Sequence, residues 1–265
     1  MLGIHDIVPP VEGGPAADAG ADHELADATE HADATDGSQA DGGADAHAQI
    51  DAQNQCIPVA TPQSPLEGGV ACAAEAGAGT CYPHDLSSWS PTWAPPVGAG
   101  SRGAAGLCSA TQISDFYAEC LGTSSTMAGC NTWIAANATC HGCLFTGLGA
   151  SQYGAIIGGA LTDYLNVGGC IAALEPCNTA CGQAFDALFQ CDLVSCDAYC
   201  STQASGIACA NGASNCSACE GFAAAALCIE QITGPKHPAY TPCLANVNGA
   251  YAAAYSSIAL ALCGN

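Results

Sequence analysis

Twenty cysteines constrain this 265-residue chain more than any other feature of its sequence. Their number is even, and all of them lie in residues 56–265. Dense and even cysteine usage is typical of proteins that fold in an oxidising compartment, where disulfides persist. We therefore expect an exported protein whose folded body is stabilised by cross-links.

The charge balance excludes two classes of partner. The chain has 24 acidic residues and a formal net charge of −22, and its only Lys or Arg residues are Arg102 and Lys236. Nucleic-acid binding needs clustered cations against the phosphates, so we exclude it. The same scarcity of cations argues against docking on anionic lipid.

Residues 244–262 are apolar, but Asn, Gly and Ser interrupt them, and we expect no transmembrane span.

Composition divides the chain into three parts. Residues 1–55 hold 12 of the acidic residues, no Lys, Arg or Cys, and few large apolar residues. Burial cannot offset chain entropy in such a segment, so we interpret it as a disordered acidic tether. Residues 56–107 are rich in Pro, Gly and Trp, which predicts an irregular segment held by disulfides. Residues 108–265 are predicted to form a helical, disulfide-stapled domain.

Hydrophobic periodicity gives the fold class. Ile113, Phe116, Tyr117, Cys120 and Leu121 follow the spacing of one helix face. The same spacing recurs in residues 179–189 and 244–262, and residues 220–232 are rich in Ala. Runs of Val, Ile and Thr with a period of two are few. The class is therefore mainly α and disulfide-rich, with an irregular N-terminal segment.

The cysteine spacing predicts stapled helical hairpins. Cys177 with Cys181, and Cys196 with Cys200, are each four residues apart, which puts both thiols on one helix face. Two such faces in an antiparallel hairpin, with its turn shortly after Cys191, can be joined as Cys177–Cys200 and Cys181–Cys196. A Cys191–Cys196 pair competes with this arrangement, and spacing alone does not decide between them.

Two CxxC motifs raise the question of redox or metal chemistry. They are Cys140–Cys143, which encloses His141, and Cys216–Cys219. A histidine beside a thiol favours the reactive thiolate. However, a thioredoxin-like motif needs a βαβ pattern that this sequence lacks, and the two motifs are too far apart for a zinc finger. We therefore predict structural disulfides at all four cysteines, with no metal site and no cofactor.

Catalytic motifs do not appear in the sequence. GxSxG, SxxK and HExxH are all missing, so we predict no catalytic residue. An extracellular hydrolase of unfamiliar type, built on His84, His141 or His237, is one alternative. Three tryptophans are a candidate contact surface for a ligand such as a glycan, although aromatic side chains of this kind also pack against neighbouring helices. These tryptophans are Trp89, Trp93 and Trp133.

Several local strings resemble cysteine-rich exported proteins or lipoproteins of myxobacteria and related bacteria. The strings are Cys81-Tyr-Pro-His-Asp85, Trp93-Ala-Pro-Pro96, Gln112-Ile-Ser-Asp-Phe-Tyr117, Asn166-Val-Gly-Gly-Cys-Ile-Ala172 and the cluster of Cys191, Cys196 and Cys200. The resemblance covers roughly residues 81–265 and implies an exported protein, on the outer-membrane surface or extracellular, with no catalytic residue. Such lipoproteins carry an acidic linker after a lipidated cysteine. The first residues of the sequence do not follow the pattern of a signal peptide, and we hypothesise that Met1 stands where such proteins carry the lipidated cysteine.

Together these features predict a non-enzymatic, exported structural or interaction protein carried on an acidic linker. Three alternatives stay open. The first is an extracellular binding module for a glycan, a small molecule or a metal. The second is a homo-oligomer or filament, as the subunit of a self-assembling fibre or surface layer. The third is the hydrolase described above. The sequence identifies no specific partner.

Overall fold

A computed structural model describes most of the cysteine-bearing part of the chain. The acidic tether and the lipid anchor predicted at Met1 lie outside the described residues. The described residues are 57–60, 71–72, 80–84, 86, 89–97, 107–159, 163–216, 218–234, 236–247 and 250–264.

Helices dominate the fold, which confirms the mainly-α prediction. Short π-helical turns occur at Tyr117–Leu121 and Tyr240–Leu244, and 3-10 turns at Pro176–Asn178 and Leu227–Gln231. In this described part of the chain, no helix combines the length and the apolar character needed to cross a bilayer. The helices are α1 (Ala110–Phe116), α2 (Met127–Ala136), α3 (Ala138–Leu144), α4 (Val167–Leu174), α5 (Thr179–Asp197), α6 (Gln203–Ala213), α7 (Glu220–Ala226) and α8 (Tyr251–Cys263).

A small sheet lies between α3 and α4 in the sequence. Its strands are β1 (Phe145–Gly147), β2 (Ile156–Gly158) and β3 (Asp163–Leu165). The central strand, β2, pairs in parallel with β1 and antiparallel with β3. Both of its isoleucines are buried, so the sheet contributes directly to the main hydrophobic core.

Helix α5 packs against α4, α6 and α7, and its course corrects the predicted hairpin. The turn expected after Cys191 does not form, because α5 continues through it to Asp197. No Gly or Pro follows Gly182 within the helix to interrupt it. Asp192, which suggested a turn, is buried instead, and its two carboxylate oxygens accept hydrogen bonds from Ser214 Oγ at 3.0 and 3.1 Å.

The disulfides of α5 also differ from the predicted pairs. The predictions were wrong for all three pairs, Cys177–Cys200, Cys181–Cys196 and Cys191–Cys196. The cysteines of α5 bind different partners because three separate segments pack around this helix, and spacing along the helix carries no information about those segments. Cys177 is also disulfide-bonded. The bridges observed at and just beyond α5 are Cys181–Cys228, Cys191–Cys219, Cys196–Cys209 and Cys81–Cys200.

Both CxxC motifs are structural cross-links. The two cysteines of each motif bind different partners, so neither motif forms the internal disulfide of a redox dithiol. Cys140 binds Cys108, and Cys143 binds Cys263. Nine disulfides join described residues. Besides the bridges already named, they include Cys72–Cys216, Cys120–Cys130 and Cys170–Cys243.

The core divides into one large apolar cluster and two small clusters rich in sulfur. The large cluster joins α1, α3, α4, α8 and the sheet. The small clusters surround the C-terminal half of α5, and their buried members are cysteines and alanines. Cross-links therefore replace large apolar side chains at this end of the molecule.

An irregular N-terminal strap, which is the described part of residues 57–97, runs over α5 and its flanking turn. Asn178 accepts a hydrogen bond from the backbone N–H of Val59 and donates to the carbonyl of Ile57, both at 2.9 Å. Gln190 makes the same pair of contacts to the backbone of Thr92, at 3.0 and 2.7 Å. Two buried side-chain amides thus hold an extended backbone that has few hydrogen bonds of its own.

Candidate functional site: an aromatic stack at the end of α5

The strap is fixed to the C-terminal end of α5 by a covalent bond and a hydrogen bond. Cys81 is disulfide-bonded to Cys200, three residues after the helix ends. The backbone N–H of His84 donates to the carbonyl of Ser195 at 3.1 Å. These two links place Tyr82 and His84 beside Tyr199.

Three rings form a continuous stack at this position. The centroids of Tyr82 and His84 are 4.4 Å apart with an interplanar angle of 25°. The centroids of His84 and Tyr199 are 3.5 Å apart with an angle of 18°. The imidazole is therefore enclosed between two phenol rings, and Tyr82 and Tyr199 form the ends of the stack.

Hydrogen bonds fix the rings in place. Nε2 of His84 donates to the carbonyl of Thr80 at 3.0 Å, because a carbonyl oxygen can only accept. The hydroxyl of Thr80 donates to the carbonyl of Tyr199 at 3.3 Å. Since Nε2 already carries this bond and both ring faces are covered, His84 is better suited to holding the stack than to moving protons.

The stack presents an aromatic surface to solvent. Tyr199 is 41% exposed and is one of the few large apolar side chains on the described surface. Tyr82 and His84 are half-buried. The disulfide that fixes the stack, Cys81–Cys200, belongs to one of the two sulfur-rich clusters. Such a rigid π surface can stack with a planar group or attract a cation.

His237 forms the pair that most closely resembles catalytic machinery. Its Nδ1 lies 3.0 Å from Oε2 of the buried Glu175. Glu175 also accepts hydrogen bonds from Asn178 Nδ2 at 2.6 Å and from the backbone N–H of Ala239 at 3.0 Å. A hydrolase would need a nucleophile on the other ring nitrogen, and none of the hydrogen bonds between described residues brings a hydroxyl group there. The pair instead ties two loops together.

His141 has a packing role. It stacks on Phe145 with ring centroids 6.1 Å apart and lies near Phe116 at 5.9 Å. Burial lowers the pKa of its imidazole, which favours the neutral ring. The three histidines considered for a hydrolase thus have separate sets of contacts, and no hydrogen bond between described residues joins one to another.

The three tryptophans lie in different surroundings. Trp133 is only 8% exposed and packs edge-on against Phe116, with centroids 5.0 Å apart, so it is not available to a ligand. Trp89 packs edge-on against Phe222 at 5.6 Å. Trp93 is half-buried. Trp89 and Trp133 thus both pack against a neighbouring phenylalanine ring.

The aromatic stack could not be predicted from the sequence. Tyr82 and His84 lie two residues apart in a proline-containing string, but nothing in the sequence links them to Tyr199.

Across the part of the chain that the structure describes, no group of three or more His, Cys, Asp or Glu side chains is arranged to hold a metal ion. Comparison of the chain with protein-family models, curated proteins and solved structures finds no match.

Proposed function

We propose that this chain is an exported, non-catalytic structural or interaction protein. Residues 1–55 serve as an acidic tether that carries the cross-linked body at the cell surface or outside the cell. A lipid anchor at the natural N-terminus, suggested by the resemblance to exported lipoproteins, is part of the same proposal.

The disulfide network is the observation that carries this proposal. Abundant disulfides indicate an oxidising environment. Three of the bridges close very long loops: Cys72–Cys216, Cys81–Cys200 and Cys143–Cys263 span 144, 119 and 120 residues. Each bridge is expected to add about 2–4 kcal/mol by restricting the unfolded chain. Such a body suits conditions outside the cell, where a protein must persist without chaperones.

The use of polar side chains also supports a non-catalytic role. Asn178 and Gln190 hold the strap, Glu175 and His237 join two loops, and His84 holds the stack. The polar side chains best placed for chemistry therefore already carry architectural contacts.

The proposal is tested on intact cells of the natural host. We expect an antibody against the body to label unbroken cells, and proteolysis of the tether to release the body into the medium. Mass spectrometry of the natural N-terminus then identifies any lipid. Antibody labelling that appears only after the cells are lysed would disprove the surface location.

The cross-links are tested separately on protein taken from the host. We expect alkylation without prior reduction to label almost no cysteine, and the intact mass to be lower by two hydrogens for each bridge. The control is the same protein alkylated after reduction and unfolding, which should label all twenty cysteines. Extensive labelling of the unreduced protein would overturn the proposal, because most cysteines would then be free thiols.

A further inference from the structure

We infer that the exposed end of the Tyr82–His84–Tyr199 stack binds an arginine side chain of a cationic partner protein. This inference rests on the proposed role as an interaction protein and names the chemistry of its partner.

The first argument is the position of the stack at a negative pole. Tyr199 lies two residues beyond the last residue of α5, a helix of 19 residues whose C-terminal carbonyls carry partial negative charge. Asp197, the last residue of that helix, adds a carboxyl group. Burial raises the pKa of Asp163 to about 6, and repulsion from Asp197 adds to the rise, so the two carboxyl groups lie within each other's field.

The second argument is the shortage of internal cations. Lys236 is the one Lys or Arg within the described residues, against a net charge of −22 for the whole chain. The long-range field of the protein therefore attracts cationic partners and repels anionic ones. Since Arg102 and Lys236 are the only Lys or Arg residues of the chain, we expect a cation for this surface to come from another molecule.

The third argument is the shape and rigidity of Tyr199. One face of its ring is covered by His84, yet the residue is 41% exposed. No other described ring stacks on it. A planar guanidinium would extend the stack by one more layer, since arginine combines a positive charge with a flat, weakly hydrated surface. The disulfide and the bonds of Thr80 hold the ring before binding, which lowers the entropic cost.

This chemistry distinguishes arginine from other occupants. The ammonium group of lysine gains the same long-range attraction, but it is compact and strongly hydrated and stacks poorly. A neutral glycan can stack on an aromatic ring but gains nothing from the negative field. We therefore expect preference for arginine over lysine, and for either over a neutral ligand.

The test compares two peptides that differ only in carrying Arg or Lys at their central positions. Titrated calorimetrically against the full oxidised chain, the Arg peptide is expected to bind about threefold to tenfold more tightly than the Lys peptide. Tyr199→Leu should remove this difference, while Tyr199→Phe should keep it. Leu227→Ala, at another exposed apolar side chain, is the matched control and should change nothing.

Two further measurements complete the test: the salt dependence of binding and the integrity of each variant. Added salt should weaken both peptides because the attraction is screened, while the preference for Arg persists. Intact masses and thermal unfolding verify that each variant keeps its cross-links and its fold. Equal affinities for the two peptides, a preference that survives in Tyr199→Leu, or Tyr199-dependent binding of a neutral oligosaccharide without discrimination between the peptides would overturn the inference. The proposed function fails on different evidence, namely an internal location or free thiols.

Discussion

Two glycines set the distance between α4 and α5. A Cβ atom on Gly168 would overlap the backbone carbonyl oxygen of Gly182, and a Cβ on Gly182 would overlap that of Gly168. Because the obstructing atoms belong to the backbone, no change of rotamer can relieve the overlap. The two helices approach this closely only if both positions lack a side chain.

Gly168→Ala and Gly182→Ala should therefore each lower the free energy of unfolding by about 1–3 kcal/mol, since the helices must separate and leave gaps in the core. Denaturant unfolding of the oxidised protein measures the change. Gly142→Ala is the control, because Gly142 lies within α3 and no atom lies within 4 Å of its added Cβ. Alanine is the better helix former, so this variant should be up to about 1 kcal/mol more stable. Equal stabilities for the three variants would contradict the steric argument.

Asp186 is a buried acid beside the same helix crossing. Neither of its carboxyl oxygens has a hydrogen-bond partner within the described structure. Burial raises the pKa of Asp186 to about 8; the nearby backbone N–H of Gly168 lowers it in part, although it does not form a well-aligned hydrogen bond with either oxygen. The folded protein therefore keeps a proton that the unfolded chain loses near pH 3.8. Its contribution to stability is complete below that pH and is lost as the pH rises towards 8.

Asp186→Asn should reduce this dependence, because the amide has a similar shape and cannot ionise. We expect the stability of the variant relative to the natural protein to increase steadily between pH 5 and pH 8. Urea unfolding at a series of pH values measures the trend. Asp115→Asn, at an exposed position on α1, should show no such increase. A constant difference between the Asp186 variant and the natural protein would mean that Asp186 does not hold the proton.

At the scale of the elements, periodicity predicted which residues face the core but not where each helix ends. Ile113 and Phe116 of α1 are buried as expected, and so are Tyr255 and Ile258 of α8. However, α8 starts at Tyr251, not at residue 244. Asn and Gly, both poor helix formers, occupy the two positions just before residue 250. Local composition therefore decided the boundary even though the apolar spacing continued through it.

Other parts of the fold have no sequence pattern from which they could be predicted. Strands β1, β2 and β3 have three residues each, too few for an alternating pattern to stand out. The disulfides and the aromatic stack depend on which distant segments pack around α5. A cysteine or tyrosine has the same local sequence whichever partner it meets, so pattern reasoning identified the residues of the cross-links without their pairing.

Helix α6 shows what a single cross-link does for one element. The side chains it buries are small and include Cys209, Ala210 and Ala213. Replacing Cys196 and Cys209 together by Ala removes a bridge with a sequence separation of 13. The loss should cost about 3 kcal/mol. Hydrogen exchange should accelerate in α6 while α8 stays protected.

The matched control is the double alanine variant at Cys143 and Cys263. Helix α8 also buries large side chains, including Tyr255 and Leu262, so it should stay docked without its bridge. Exchange in α8 would then change much less than exchange in α6 does in the first variant. The reverse order would show that apolar packing does not hold α8 in place.

At the scale of the whole molecule, the cross-links differ in how well solvent reaches them. Cys108–Cys140, Cys143–Cys263 and Cys170–Cys243 lie in the large cluster, and each of these six cysteines is almost completely buried. In contrast, Cys72–Cys216, Cys81–Cys200 and Cys120–Cys130 each have at least one half-exposed cysteine. The large cluster therefore shields its own bridges, whereas the two bridges that join the strap to the sulfur-rich end, Cys72–Cys216 and Cys81–Cys200, each include a cysteine that a reductant can reach.

Thiol–disulfide exchange needs access to a sulfur atom, so reduction without denaturant should proceed in order. We expect the three accessible bridges to open first, releasing the strap and the stack while α1, α4 and α8 stay folded. The bridges buried in the large cluster should follow only when that cluster unfolds. Timed alkylation and peptide mass spectrometry give the order, and circular dichroism reports the remaining helix. In denaturant the difference in rate should disappear, because every bridge is then exposed. Simultaneous labelling of all bridges under native conditions would mean that the folded body unfolds as one cooperative unit. Apolar packing alone would then not preserve the large cluster once the outer cross-links are lost.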